Sequence, residues 1–268
     1  VIYGQDNRKD LYDIQNPMIS QLADSTVALV KAADLQQSSS GMINIKATTF
    51  RNLMRLCASE RFGEQPSGAF CSGSLIGPNT MLTAGHCIVD DSDCTSTKFV
   101  FGYAVKQSGQ YPNAVPEADV VGCKRIIKRE QVGTGADYAI IELDRSINHH
   151  APLRMALQRR TVNIDNGTKL IMIGHPSGLP TKVDDGGKVR DNSLNNYFSA
   201  TTDSYGGNSG SAVFNHQTGE IEGVLVRGET DFVTQGNCRV SNVCSEQGCR
   251  GEDVTKIAVV LRHLKYVR

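Results

Sequence analysis

A serine hydroxyl becomes a useful nucleophile near neutral pH only beside a base, and the base in turn needs an acid to fix its tautomer. Residue types suited to these three parts occur in separate stretches: His86 in "LTAGHC", Asp137 in "GADYAIIEL" and Ser209 in "GGNSGS". His86 follows a strand-like segment and precedes a short helix-prone stretch, Asp137 opens a strand, and Ser209 sits in a glycine turn. Gly207 can set its N–H beside that of Ser209, because a residue without a side chain permits the backbone geometry of such a nest. Two donors aimed at a developing oxyanion contribute about 3–4 kcal/mol each to the transition state. Each stretch alone reads as an ordinary turn or strand start. Their joint occurrence in the order His, Asp, Ser points to acyl transfer through Ser209.

The elements that must position these groups are short. "STVALV", "FCSGSLI", "TMLTAG", "KFVFGYAV", "DVVGCKRII", "DYAIIEL", "KLIMIG", "GSAVFN" and "EIEGVLVRG" are strand-length, rich in β-branched and aromatic residues, and separated by Gly, Pro, Asn or Asp. The pattern is all-β. Helix is expected around residues 47–58, just after His86, and at the C-terminus from residue 257, where Ile257, Val260, Leu261 and Leu264 share one helical face. Residues 31–46 and 180–196, rich in Ser, Gln, Asn, Asp and Gly, read as long surface loops. Residues 20–145 and 153–256 each carry about half a dozen strand candidates. Two packed β-barrels would fit this division, within a single domain over residues 1–268 that ends in a helix over 257–268.

With 268 residues, 39% of them hydrophobic, the chain can bury a sizeable core. Its 28 Lys plus Arg balance 28 Asp plus Glu, so no basic excess argues for nucleic acid, and Lys124, Arg125, Lys128 and Arg129 read as a solvated strand face. No apolar run reaches the length of a membrane span. The eight cysteines, none in a CxxC pair, fit no zinc ribbon or finger and read as a disulfide framework formed in an oxidising compartment. Beginning at Val1, without a charged-then-apolar leader, the sequence suggests removal of a signal or pro-segment and a secreted or periplasmic location.

The stretches "FCSGSLIGPNTMLTAGHC", "ADYAIIEL", "TDSYGGNSGSAVF", "GVLVRG" and "VTKI" together resemble the chymotrypsin-fold, trypsin-like serine proteases over most of residues 69–262. The resemblance implies two packed six-stranded antiparallel β-barrels with a C-terminal helix. It also implies Ser209 as nucleophile, His86 as base then acid, Asp137 as the orienting carboxylate, and the N–H groups of Gly207 and Ser209 as oxyanion hole. Cys71 and Cys87 match the disulfide that ties the histidine loop to the preceding strand. The N-terminal arm "VIYGQDNRKDLYDI" and Asn208 resemble the bacterial glutamyl-endopeptidase (V8-like) branch. Asn208 stands where animal trypsins have an aspartate for the newly made N-terminus, so Val1, expected to be a maturation site, needs another contact.

Counting back six residues from Ser209 reaches Asp203, which by the resemblance lies at the base of the primary pocket, with Ser204, Val226 and Gly228 along its walls. A carboxylate there selects Arg or Lys. The plainer reading of Asp203 is a turn-capping carboxylate. Leu225 occupies the place where glutamyl members carry a histidine, Arg227 stands where many relatives have Trp, and Tyr205 replaces a family cysteine. The expected activity is therefore endopeptidase cleavage after Arg or Lys. A glutamyl endopeptidase and a catalytically silent binding protein are the alternatives. The resemblance implies no cofactor and no metal, protein or peptide substrates, protein inhibitors as further partners, and a monomer free of nucleic acid and membrane. His149 and His150 read as inter-barrel loop residues, His175 as a turn residue, and His216 and His263 as surface residues; "DDSD" at 90–93 and "DDGG" at 184–187 read as solvated loops rather than calcium sites.

Overall fold

The computed structural model describes residues 1–264. Strands β1 (Thr26–Lys31), β2 (Cys71–Gly77), β3 (Thr80–Thr83), β4 (Thr97–Val100), β5 (Val120–Gln131) and β6 (Asp137–Leu143) close into one antiparallel barrel. Strands β7 (Lys169–Gly174), β8 (Lys182–Asp191), β9 (Tyr197–Ala200), β10 (Ala212–Asn215), β11 (Ile221–Arg227) and β12 (Glu252–Lys256) form the second, closed by pairing β7 with β8. Around each barrel the strands follow the same circuit: first, fourth, fifth, sixth, third, second. The two halves share a topology that no sequence period reveals.

Period-2 alternation explains how the second barrel buries both faces of its strands. Leu170, Met172, Val213, Leu225 and Val254 fill its interior, while their neighbours Ile171, Ile173, Ala212, Phe214, Val224 and Val226 join the large core shared with the first barrel. The strands therefore read as continuous apolar runs, because neither face meets water. In the first barrel, Val27 and Leu29 point into the large core, and Ala28 and Val30 pack outward beneath Ile45, Tyr103 and Val115.

That outer cover corrects one expectation. Residues 31–46 are not loop throughout: Met42–Ile45 pairs with Leu35–Gln37 on one side and Ala114–Pro116 on the other in a small sheet. Nor is 180–196 a long loop, since β8 runs through "DDGG" and buries Asp184. The "DDSD" acids instead begin a helix, with Asp90 capping the N–H of Asp93 at the start of Asp91–Ser96. Helix is present at Phe50–Met54, inside the expected region, and at Ile257–Leu261, shorter than expected; residues 265–268 of the expected terminal helix lie outside the described residues.

All eight cysteines pair: Cys71 with Cys87, Cys94 with Cys123, Cys57 with Cys238, and Cys244 with Cys249. The insertion around Cys57 is thereby stitched to the hairpin Phe232–Ser241, where Leu56 also bridges Arg239. Tyr205, in the place of a family cysteine, packs 4.6 Å from the Phe232 ring and accepts a hydrogen bond from Arg8 at 2.8 Å. Apolar packing and the Cys57–Cys238 link brace this region.

Candidate active site

His86 stands in the turn after β3, with its side chain about one-third exposed. Its Nδ1 lies 2.7 Å from Oδ2 of Asp137, the first residue of β6, whose carboxylate is almost fully buried. The other carboxylate oxygen accepts the N–H groups of Gly85 at 2.6 Å and His86 at 3.2 Å. Behind it, Thr255 of β12 donates its hydroxyl to the carbonyl of Asp137 at 2.9 Å, which joins the second barrel to the acid. A carboxylate facing Nδ1 favours the tautomer that carries the Nδ1 proton and leaves the Nε2 lone pair free.

Ser209 comes from the opposite barrel, in the turn before β10. Its carbonyl accepts the N–H of Ser72 at 2.9 Å and lies 3.6 Å from Sγ of Cys87, the residue after His86. The serine turn is thus hydrogen-bonded to Ser72 at one end of the Cys71–Cys87 segment and touches the disulfide sulfur of Cys87 at the other. Gly210 adopts φ +90°, and a Cβ there would stand 2.1 Å from the Ser72 carbonyl oxygen. Only glycine fits this approach.

The N–H groups of Asn208, Gly210 and Ser211 are taken by the carbonyls of Tyr205, Leu225 and Asn208. Those of Gly207 and Ser209 have no protein acceptor among the described residues. The Gly206 carbonyl is held by the N–H of Ser177, and in a trans peptide this turns the Gly207 N–H the opposite way. Asn208 is buried and neutral in role, donating to Ser204 Oγ and accepting from Ser211 Oγ. The α-amino group of Val1 bonds instead to the Ser204 carbonyl and, at 2.8 Å, to Asp231.

A cleft of about 180 Å³ opens beside Ser209. Ser204, Val226 and Gly228 line it; Asp203 does not. Asp203 is buried under the N-terminal arm, where its two oxygens accept the N–H groups of Tyr3 and Asn7, both at 2.8 Å. Its own N–H binds Asp184 at 2.7 Å, and burial pushes both carboxyls above the usual range, helped by the Asp203 charge at Asp184 and by the Asp6 charge at Asp203. Ungapped counting from Ser209 reaches Asp203, but its carboxylate is buried against the N-terminal arm and does not line the cleft.

The acid that reaches the cleft is Glu252, the first residue of β12, with Asp231 and Glu229 beside it. A side chain at Gly228 would collide with Glu252, at 2.1 Å from Oε2, so this glycine keeps the carboxyl open to the cleft. Burial pushes the Glu252 carboxyl up to about 8, against the pull of the Val1 ammonium. Arg227 also lines the cleft, but its guanidinium is spent on Asp253 at 3.0 Å and on the carbonyls of Gly133, Thr134 and Gly135. The sequence signal for Glu252 is an acid opening the strand "EDVTKI", legible only once that strand is placed behind Gly228.

His175 is a turn residue as read, but fully buried: its N–H is held by Ser72 Oγ and its Nδ1 by the Leu179 carbonyl, and burial lowers its pKa to about 4. Cys71, His86 and Cys87 lie close together, but the two sulfurs are bonded to each other.

The trypsin-like peptidase domain model matches residues 71–224. The chain belongs to the trypsin-like peptidase family. Among curated proteins it is 30% identical over 154 residues to a glutamyl endopeptidase of Bacillus licheniformis, a match covering 54% of this chain and 45% of that protein. It is 32% identical over 94 residues to the suppressor of tumorigenicity 14 protein homolog of Bos taurus, covering 34% of this chain and 11% of that protein. The matches therefore span less than half the length of these relatives. The fold of this trypsin-like peptidase is shared with a Glu endopeptidase solved with MPD (TM-score 0.58, 19% identity, covering 100% of this chain and 99% of that one) and with the VesB protease of Vibrio cholerae (TM-score 0.56, 16% identity, covering 98% and 67%).

Proposed function

We propose that this trypsin-like peptidase is a serine endopeptidase that cleaves after Arg or Lys through an acyl-enzyme on Ser209. The observation that carries the reading is Asp137 gripping His86 Nδ1 at 2.7 Å opposite a serine turn whose carbonyl accepts the N–H of Ser72 in the Cys71–Cys87 loop. Ser209 Oγ attacks the scissile carbonyl as His86 Nε2 takes its proton. The oxyanion that forms is met by the N–H groups of Gly207 and Ser209. His86 then returns the proton to the leaving amine, and a water, deprotonated by the same nitrogen, releases the acyl group.

Selectivity in this reading rests on Glu252 in the place that sequence counting gave to Asp203. An Arg or Lys side chain entering past Gly228 would find the Glu252 carboxyl, with Asp231 and Glu229 nearby, and a cation there favours the ionised form. Cleavage after Glu is the second reading, favoured by the Val1 ammonium at Asp231 and by the glutamyl endopeptidase relative; it needs Glu252 to stay protonated. Four disulfides support an oxidising, extracellular setting, and among the described residues no helix is long and apolar enough to cross a membrane. We take protein or peptide chains as substrates and a monomer as the working form.

Initial rates on matched fluorogenic peptides ending in Arg, Lys, Glu or Phe test both parts. Turnover of Arg and Lys peptides that vanishes in Ser209→Ala is expected. A Glu preference would move the selectivity to the Val1 ammonium, and no turnover by the folded protein would support the silent binding alternative.

A further inference from the structure

Far from the candidate active site, three ligand-type side chains converge where the connector between the barrels meets the first barrel. Asp119 ends the turn Glu117–Asp119 just before β5, at the other end of that strand from Gln131, the partner of Asp137. His149 Nε2 lies 2.8 Å from Asp119 Oδ1, and His150 Nε2 lies 3.1 Å from the same oxygen. All three ligand atoms fall within 4.8 Å of one another. The second nitrogen of His150, Nδ1, lies 2.8 Å from Oδ2 of Asp24, the last residue of helix Pro17–Asp24.

Two imidazole nitrogens aimed at one carboxylate oxygen are the donor set of a zinc-type ion. Ligands at about 2.0–2.1 Å from a tetrahedral zinc stand roughly 3.3 Å apart, so the two spacings to Asp119 need to open by only a few tenths of an ångström. Asp24 supplies what metal-bound histidines ordinarily have, a carboxylate on the other ring nitrogen that fixes the tautomer with Nε2 facing the ion. The frame is rigid. His150 stacks on Phe101 with centroids 4.2 Å apart and planes 5° from parallel, and Arg145 donates to the carbonyls of Glu117, Ala118 and Val120 around Asp119. His149 remains about half exposed, so an ion can enter from solvent and keep a water as fourth ligand.

We propose that Asp119, His149 and His150 bind a divalent transition-metal ion of the zinc class, oriented by Asp24, and that the ion clamps the inter-barrel connector onto the first barrel. The site lies apart from His86, so the clamp acts on stability rather than on peptide hydrolysis.

The test is calorimetric titration of ZnCl₂ into chelator-stripped protein, with thermal unfolding and the visible spectrum of a Co²⁺-loaded sample alongside. Saturable binding near one ion per chain is expected, with an intense tetrahedral Co²⁺ band and a melting temperature raised by several degrees. His149→Gln, a change at an exposed side chain, should abolish the band and the thermal shift, and Asp24→Asn should weaken binding about 10- to 100-fold. The proposal is overturned if the folded protein binds no zinc, or if binding and the thermal shift persist unchanged in His149→Gln. A site lost instead in His86→Ala would overturn it equally.

Discussion

His86 Nδ1 stands 2.7 Å from Asp137 Oδ2, while the other oxygen of the same carboxylate accepts the backbone N–H groups of Gly85 and His86. One buried acid thus fixes both the ring and the backbone that carries it. If its role is to hold the tautomer, Asp137→Asn should keep the fold and lower kcat by about 10⁴-fold. Steady-state rates on the preferred peptide, with circular dichroism to show the fold, check this.

Glu252 leads to a pH dependence. Its carboxyl, pushed up to about 8 by burial, is mostly neutral at pH 7 and ionises above that value. A cationic P1 side chain binds the ionised form better, so KM for a Lys or Arg peptide should fall as pH rises through about 8. Glu252→Gln should flatten that slope and cost roughly 10- to 100-fold in kcat/KM on basic peptides, as expected for losing a hydrogen-bonded charge. A pH profile of KM for both proteins decides it.

Asp203 should behave as a structural residue. Asp203→Ser strips the acceptors from the N–H groups of Tyr3 and Asn7 and should lower stability by about 1–3 kcal/mol. The order of preference among Arg, Lys, Glu and Phe peptides should stay as in the parent. Urea midpoints and the peptide panel separate the two effects.

Gly210 tests the serine turn. An added Cβ would meet the Ser72 carbonyl at 2.1 Å in a backbone with φ +90°, so Gly210→Ala must shift the turn that carries Ser209. A displacement of that kind costs on the order of 100-fold in rate, read as kcat on the preferred peptide at a temperature where the variant stays folded.

The barrels were legible because their strands are short, β-rich and punctuated by turn residues, whereas the candidate triad rests on three stretches in order, each of which alone reads as an ordinary turn or strand start. The region 180–196 misled because polar "DDGG" lies inside β8: Asp184 is buried there only because Gly186 and Asp203 donate N–H groups to it. Glu252 stayed hidden for a related reason. Its position in the cleft depends on β12 pairing behind β11, a contact between distant parts of the chain, and nothing local to "EDVTKI" marks it. Likewise Asp119, His149 and Asp24 converge only after the barrel closes, and the spacing of His149 and His150 alone reads as connector.

The proposed chemistry requires Ser209 as the nucleophile and His86 as its base. Incubation with a fluorophosphonate, followed by intact mass and peptide mapping, tests it most directly. One adduct on Ser209, with parallel loss of peptidase activity and no labelling in His86→Ala, is the predicted result. An unlabelled Ser209 in folded, active protein, or an adduct on another residue that accounts for the lost activity, would contradict it.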